Sequence, residues 1–211
     1  MGIADRKARE KEARRNYIME AANRLFREKG FSGTTMEDIA RDVELSTSTI
    51  YLYFKNKEEL YASLNLKVLK NLLEKIEEVD IEDVLPPEEK VLALKKLLYS
   101  FYEYDPMLLL DVFNFQTSEL IRELSPQIVL ELKQFARNAV HSIAKIFEFG
   151  IKDGVYKPVN TVALADVIWS MFSGLVIWEE SKTALNSKKQ HMEATLDLAF
   201  DIIHDGIKIS D

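Results

Sequence analysis

The sequence predicts an all-α protein: an N-terminal three-helix head over residues 1–57, with a basic arm over about 1–12, joined to a larger helical body over residues 58–211. Three observations predict it. Apolar residues recur at i, i+3, i+4 and i+7 in run after run, the spacing of a helix with a buried face. Prolines stand at the starts of such runs, at Pro87, Pro106 and Pro126, where a helix tolerates them best. Charge is divided: residues 1–57 hold twelve Lys and Arg against nine Asp and Glu, and residues 58–211 hold sixteen against twenty-six, in a chain of net charge −7. A basic head on an acidic body approaches a polyanion by one end only.

The same composition excludes several classes. There is no cysteine, so disulfides, thiolate metal sites and cysteine nucleophiles are ruled out. The opening MGIADRKAREKEARRN is charged where a secretory signal has an apolar core, and Arg6 stands where a myristoylation motif has Ser or Thr, so a cytoplasmic protein is expected. The most apolar run, Val162 to Trp178, is shorter than the roughly 20 residues of a membrane span and is interrupted by Asp166, Ser170 and Ser173. It reads as a buried helix, with no membrane partner.

The first helix is expected from about Arg6 to Lys29, with Ile18, Ala21, Ala22, Leu25 and Phe26 on its apolar face. Arg6, Lys7, Arg9, Lys11, Arg14 and Arg15 gather at its front, within reach of phosphates. Gly30 stops it and Phe31 packs back on it. Thr34 or Thr35 caps a second helix, with Glu37 and Asp38 in its first turn and Met36, Ile39, Ala40 and Val43 facing inward. Ser46 caps a third, reaching about Phe54, in which Ile50 and Phe54 point to the core. Helices joined by so short a turn cross steeply, as in a helix-turn-helix. The outward arc is then Thr47, Ser48, Thr49, Tyr51 and Tyr53. With Thr35, Ser46 and Lys57 these are the candidate contacts to double-stranded DNA, because small side chains admit the backbone to a groove while hydroxyls bond phosphates or base edges. Lys57 opens a fourth helix, where its ammonium and the free N–H groups are placed to share a phosphate.

From the Ala21–Phe26 stripe through GFSGTTMEDIA to STSTIYLYFKNKEEL, about fifty residues, the chain resembles the TetR family of transcriptional regulators. The last segment is similar to that family's recognition helix and its YxYF-x-x-K-x-x-L continuation. The resemblance implies repression of transcription and dimerisation at the last two helices. Two residues depart from it. Glu44 stands in the turn where the family usually has Gly, a position whose left-handed backbone costs another residue roughly 1 kcal/mol. Ser48 stands where many members have Gly, which alters how closely the helix approaches the bases.

Beyond Glu58, Leu60, Leu64, Val68, Leu72 and Ile76 mark one face of a long helix to about Val79, the natural lever between head and body. Further helices are expected over Glu88–Tyr104 (Val91, Leu94, Leu98, Phe101, Tyr102), from Pro106 to about Leu124, and over Ser125–Lys152, closed by Gly154. Gln116 is polar in an apolar line, so it bonds a neighbouring helix or serves as the polar handle of a ligand pocket. With Tyr102, Phe113, Phe147, Trp169 and Phe172 it forms the candidate site for an apolar small-molecule effector. The last helices, about Thr161–Glu180 and Lys188–Ile207, are apolar on more than one face, which implies two burials. Val167, Ser170, Gly174, Trp178, Leu196, Ala199 and Ile203 are the candidate homodimer seam, built as four helices.

An enzyme is not expected. HExxH, GxSxG, P-loop and GxGxxG motifs are all missing, and His141, His191 and His204 stand apart without carboxylates at metal-ligand spacing, so no cofactor is implied. The rival is a helical interaction module whose basic first helix lies on a membrane or an acidic partner, for which its narrow, Ala-rich apolar face is a poor anchor. The sequence therefore points to a ligand-responsive repressor, homodimeric on a palindromic operator. Its expected effector is a fatty acyl thioester or a hydrophobic drug-like compound, candidates that the family resemblance supplies.

Overall fold

The computed structural model describes residues 2–81, 85–185 and 191–209. Among these residues the chain forms nine α-helices: α1 (Ile3–Gly33), α2 (Met36–Asp42), α3 (Thr47–Ile50), α4 (Lys57–Ile81), α5 (Pro87–Tyr104), α6 (Pro106–Thr117), α7 (Pro126–Lys152), α8 (Thr161–Ala184) and α9 (Met192–Ile207). A 3₁₀ turn, Glu119–Glu123, lies between α6 and α7, and Tyr156 and Lys208 form one antiparallel bridge. The all-α class is as the sequence predicts.

Several boundaries differ. The third helix closes at Ile50 and continues to Phe54 as tighter turns. The helix from Pro106 stops at Thr117, because Ser118 is extended (φ −81°, ψ 156°). α8 outruns the apolar stretch and reaches Ala184, which makes it long and apolar enough to cross a membrane by length and composition alone. The predicted start of the last helix, Lys188, lies outside the described residues.

Two compact units result. The first is the chain up to Lys67 together with Ser118–Leu130. Its core joins Ile18, Ala21, Ala22, Leu25 and Phe26 of α1 to Met36, Ile39 and Ala40 of α2, to Ile50 and Phe54, and to Leu60 of α4. The returning segment is bonded to the start of α4: Ser125 Oγ donates to Glu59 Oε1 at 2.6 Å, and Asn56 Nδ2 donates to Glu123 O at 3.4 Å.

The second unit is Val68–Thr117 with the chain from Glu131 onward. Val91, Leu94, Leu98 and Tyr102 of α5 are buried on the predicted stripe. Phe113 and Phe115 of α6, Ile143, Ile146 and Phe147 of α7, Ile168, Phe172 and Val176 of α8, and Leu196 and Phe200 of α9 are buried as well. Tyr156, after α7, lies against Gly150, where a Cβ would stand 2.2 Å from its ring. The glycine is what lets that ring close on the helix.

Candidate nucleic-acid interface

The head is built from caps, each satisfying backbone groups that a helix end leaves open. α1 breaks at Gly30, whose φ of 74° and ψ of 163° fall in a region that is essentially glycine's alone. Thr34, fully buried, bridges the break: its hydroxyl lies 2.9 Å from Gly30 O and 3.1 Å from Leu25 O and donates to them. The cap of α2 is therefore Thr35. Thr35 Oγ1 accepts the Asp38 N–H at 3.1 Å, and Asp38 Oδ2 accepts the Thr35 N–H at 3.2 Å, a reciprocal box with Asp in place of the usual Glu. Bonds from the Thr35 hydroxyl and then its N–H, with Lys29 and Arg41 nearby, hold the Asp38 carboxyl below the ordinary Asp range.

The turn after α2 keeps the left-handed geometry expected of it. Glu44 has φ 53°, the Leu45 N–H reaches back to Ala40 O at 2.9 Å, and the Glu44 N–H to Arg41 O at 3.3 Å. That pair of bonds is a Schellman motif, which explains the family's preference for Gly at this point. Ser46 caps α3 by accepting the Thr49 N–H at 3.2 Å, and its Oγ also lies 2.9 Å from Ser48 Oγ and 2.7 Å from Thr49 Oγ1. The hydroxyls of Ser48 and Thr49 are thus both linked to that of Ser46.

The predicted DNA residues divide by exposure. Thr35, Ser46, Ser48 and Tyr51 are exposed, while Thr47, Thr49, Tyr53 and Lys57 are half-buried. Tyr53 packs against the head core. Sequence reasoning missed Leu52, which is 76% exposed beside Tyr51. Periodicity held the signal, because position 52 lies opposite Ile50 on a helix.

Two basic groups are placed differently from expectation. Arg15 turns inward, donating from Nη2 to Ser63 Oγ at 2.9 Å with its guanidinium 4.7 Å from the Phe54 ring centre. Lys57 Nζ donates to Phe31 O at 2.7 Å and Thr34 O at 2.8 Å. At the same helix start Asn56 Oδ1 accepts the Glu59 N–H and Glu59 Oε2 accepts the Lys55 N–H, each at 2.8 Å. The ammonium and the carboxylate at this helix start thus have partners within the head.

The family described as bacterial regulatory proteins, tetR family, matches residues 18–64, the span that holds all of these caps. An uncharacterised HTH-type transcriptional regulator of Bacillus subtilis, YhgD, is 30% identical over 176 residues, which is 83% of this chain and 89% of that protein. The chain belongs to the TetR family. The fatty acid metabolism regulator protein of Bacillus subtilis is 24% identical, over 90% of this chain and 93% of its own. In fold, a putative TetR-family regulator from Syntrophomonas wolfei superposes with a TM-score of 0.72 at 23% identity, covering 95% of this chain and 99% of that one. These TetR relatives are transcriptional regulators.

In the body of this TetR protein the candidate effector residues fall into separate groups. Phe113 meets Trp169 and Phe172 edge to face, at 5.8 and 6.1 Å between ring centres, and Phe135 joins Trp169 at 6.4 Å. Phe147 instead packs on Tyr156 at 6.2 Å. Tyr102 donates to Glu180 Oε1 at 3.0 Å, and burial followed by that bond pushes its phenol well above the usual value. The side chain of Gln116 lies outside the described residues.

Of the candidate seam, Val167, Ser170, Gly174 and Trp178 are exposed on α8. Leu196 is corrected: it is 1% exposed and serves the protomer's own core, while Ala199 and Ile203 are half-buried. The outward apolar residues of α9 are Leu198 and Ile202, at 61% and 64% exposure. α9 carries two apolar stripes, and only packing decides which of them faces in.

Proposed function

We propose that this TetR-family chain is a ligand-responsive repressor that binds a palindromic duplex operator as a homodimer and is released by an apolar small molecule. The observation that carries it is the outward arc of the head: Ser46, Thr47, Ser48, Thr49, Tyr51 and Leu52, on a capped helix and the tighter turns that continue it, after a Schellman turn. Hydroxyls there reach phosphates and base edges, and Leu52 offers an apolar contact of the kind that reads a thymine methyl. Residues 1–57 form the DNA-binding domain and residues 58–211 the effector and dimerisation domain in this reading, which is cytoplasmic and needs no membrane.

The dimer is supported by the outward face of α8, with Val167, Gly174, Ile177 and Trp178, and of α9, with Leu198 and Ile202. A two-fold seam there sets two recognition arcs about 34–36 Å apart, one turn of DNA. The cluster of Phe113, Phe135, Trp169 and Phe172 supports an apolar effector. A relative named for fatty acid metabolism favours a fatty acyl thioester over a drug-like compound.

Selection of duplexes from a random pool by the full-length protein tests this. The expected product is a palindrome with half-sites one helical turn apart, bound with a steep salt dependence and released by a long-chain acyl-CoA. Thr47→Ala and Thr49→Ala relax base preference, because removing a hydroxyl that bonds a base edge lowers discrimination by about 1–3 kcal/mol. Leu198→Glu with Ile202→Glu yields monomers in sedimentation and loses the palindrome. Unselective duplex binding, matched by equal binding to anionic vesicles, would establish the interaction-module reading instead.

A further inference from the structure

α1 runs unbroken from Ile3 to its break at Gly30, yet the head core begins only at Ile18. Residues 4–14 are all exposed, a rod of about 16 Å ahead of that core. Lys7, Lys11 and Arg14 stand at helical spacing with Ile18, Ala21 and Leu25, so the row that is buried in the core turns basic where it runs on past it. The acids of the stretch are occupied or set apart from this row. Asp5 Oδ2 accepts the Gly2 N–H at 3.0 Å, Glu10, which borders the row, pairs with Arg6 at 3.4 Å, and Glu12 lies on another face. Among the described residues no ion pair or hydrogen bond engages the side chains of Lys7, Lys11 or Arg14. Arg15 fixes the root of the stretch: it bonds Ser63 and lies over Phe54, at the end of the turns that carry Tyr51 and Leu52.

We infer that the exposed front of α1 is a helical arm that lies along the DNA backbone beside the outward arc, with Lys7, Lys11 and Arg14 on phosphates. The inference rests on the DNA-binding reading and extends its contact surface. Two features choose the occupant. Three cations in one row without acidic partners suit a polyanion, and the row is rooted next to the arc, so a duplex seated on the arc supplies one. The arm keeps to phosphates because a helix roughly 10–12 Å across cannot enter a minor groove of about 6 Å, and the major groove is taken by the arc. It therefore adds affinity and orientation without reading bases.

Two full-length variants test this. Lys7→Gln with Lys11→Gln and Arg14→Gln neutralises the row at exposed positions outside the core, so the urea midpoint is expected to stay at the wild-type value. Affinity for the selected duplex and for a scrambled duplex of equal length should fall together. The slope of log affinity against log salt should become shallower by about 2 to 3, since each phosphate contact contributes about 0.9. Arg6→Gln with Arg9→Gln removes cations from another face of the same turns and should change that slope by less than about 1. An unchanged slope in the triple variant overturns the inference, because the row then leaves the phosphates alone. Equal changes per charge in the two variants overturn it as well, since they mark a general attraction to a charged end and no directed row. So does a lowered urea midpoint with an unchanged slope, which places the row against acidic groups of the protein itself. Wild-type protein that binds no duplex overturns the DNA-binding reading and the arm with it, a result distinct from a wild type and a triple variant that bind alike.

Discussion

The head and the body differ at particular buried polar groups, although Glu179 in the body is buried and bonded by Lys182 and the His191 N–H. In the head, Thr34 is fully buried and its hydroxyl meets two carbonyls, while Ser63 accepts from Arg15 and donates to Glu59 O at 2.8 Å. In the body, Tyr156 Oη and His204 Nε2 are buried without a hydrogen-bond partner among the described residues, although their rings stand edge to face at 5.9 Å. A unit that presents a fixed surface to a rigid partner gains from having each local bond closed, because a closed network specifies one arrangement. A unit that responds to a ligand gains from an arrangement less completely specified.

The comparison is sharpest when the same chemistry is deleted from both sides. Thr34→Val is nearly isosteric and removes only the hydroxyl, and with it the bonds to Leu25 O and Gly30 O. The expected cost is about 1–3 kcal/mol, the penalty for stranding a buried polar group, read as a lower urea midpoint with an unchanged slope. A cost near zero would break the comparison at its stronger end. It would mean that the bridge across the Gly30 break is dispensable.

How much of this was legible in the sequence follows the same division. Caps act over three or four residues, so Ser46, the pair Thr34 and Thr35, the stop at Gly30 and the left-handed turn at Glu44 could all be read from neighbouring letters. Lys57 could not, because its partners Phe31 and Thr34 lie across the fold and nothing in their spacing announces them. In the body the helices were visible but their orientations were not. Leu196 was assigned to the seam, and the packing of the second unit buries it and exposes Leu198 instead. The helix from Pro106 was read too long because ELIRE has no glycine or proline to interrupt it, and the bonds of Glu123 and Ser125 to Asn56 and Glu59 are ones that local spacing cannot encode.

Glu44 probes the head from the other direction, since it is a local choice that opposes the geometry around it. Its φ of 53° disfavours a side chain. Glu44→Gly relieves roughly 1 kcal/mol of backbone strain but loses part of it to the greater freedom of glycine in the unfolded chain. The expected gain is about 0.5 kcal/mol, seen as a small rise in melting temperature with the Leu45-to-Ala40 bond retained. A loss of stability would show that the Glu side chain offsets its own strain.

Tyr156→Phe should have the smallest effect near neutral pH, and for that reason it tests the body most directly. Its hydroxyl is buried and unbonded, so removing it strands nothing, and stability is expected to be unchanged or slightly higher. Burial, with Glu88 adding to it, pushes the phenol up to about 12. The unfolded chain therefore releases this proton first as pH rises above the ordinary value of 10. The stability tied to the neutral phenol is complete below that pH and is lost as pH climbs through about 12. Tyr102, also raised, shares the direction. The Phe variant should accordingly unfold less readily than wild type in alkaline titrations while matching it near neutral pH. If it proves clearly less stable at neutral pH, the hydroxyl has a partner in solution, and the contrast between a closed head and an open body fails at this residue.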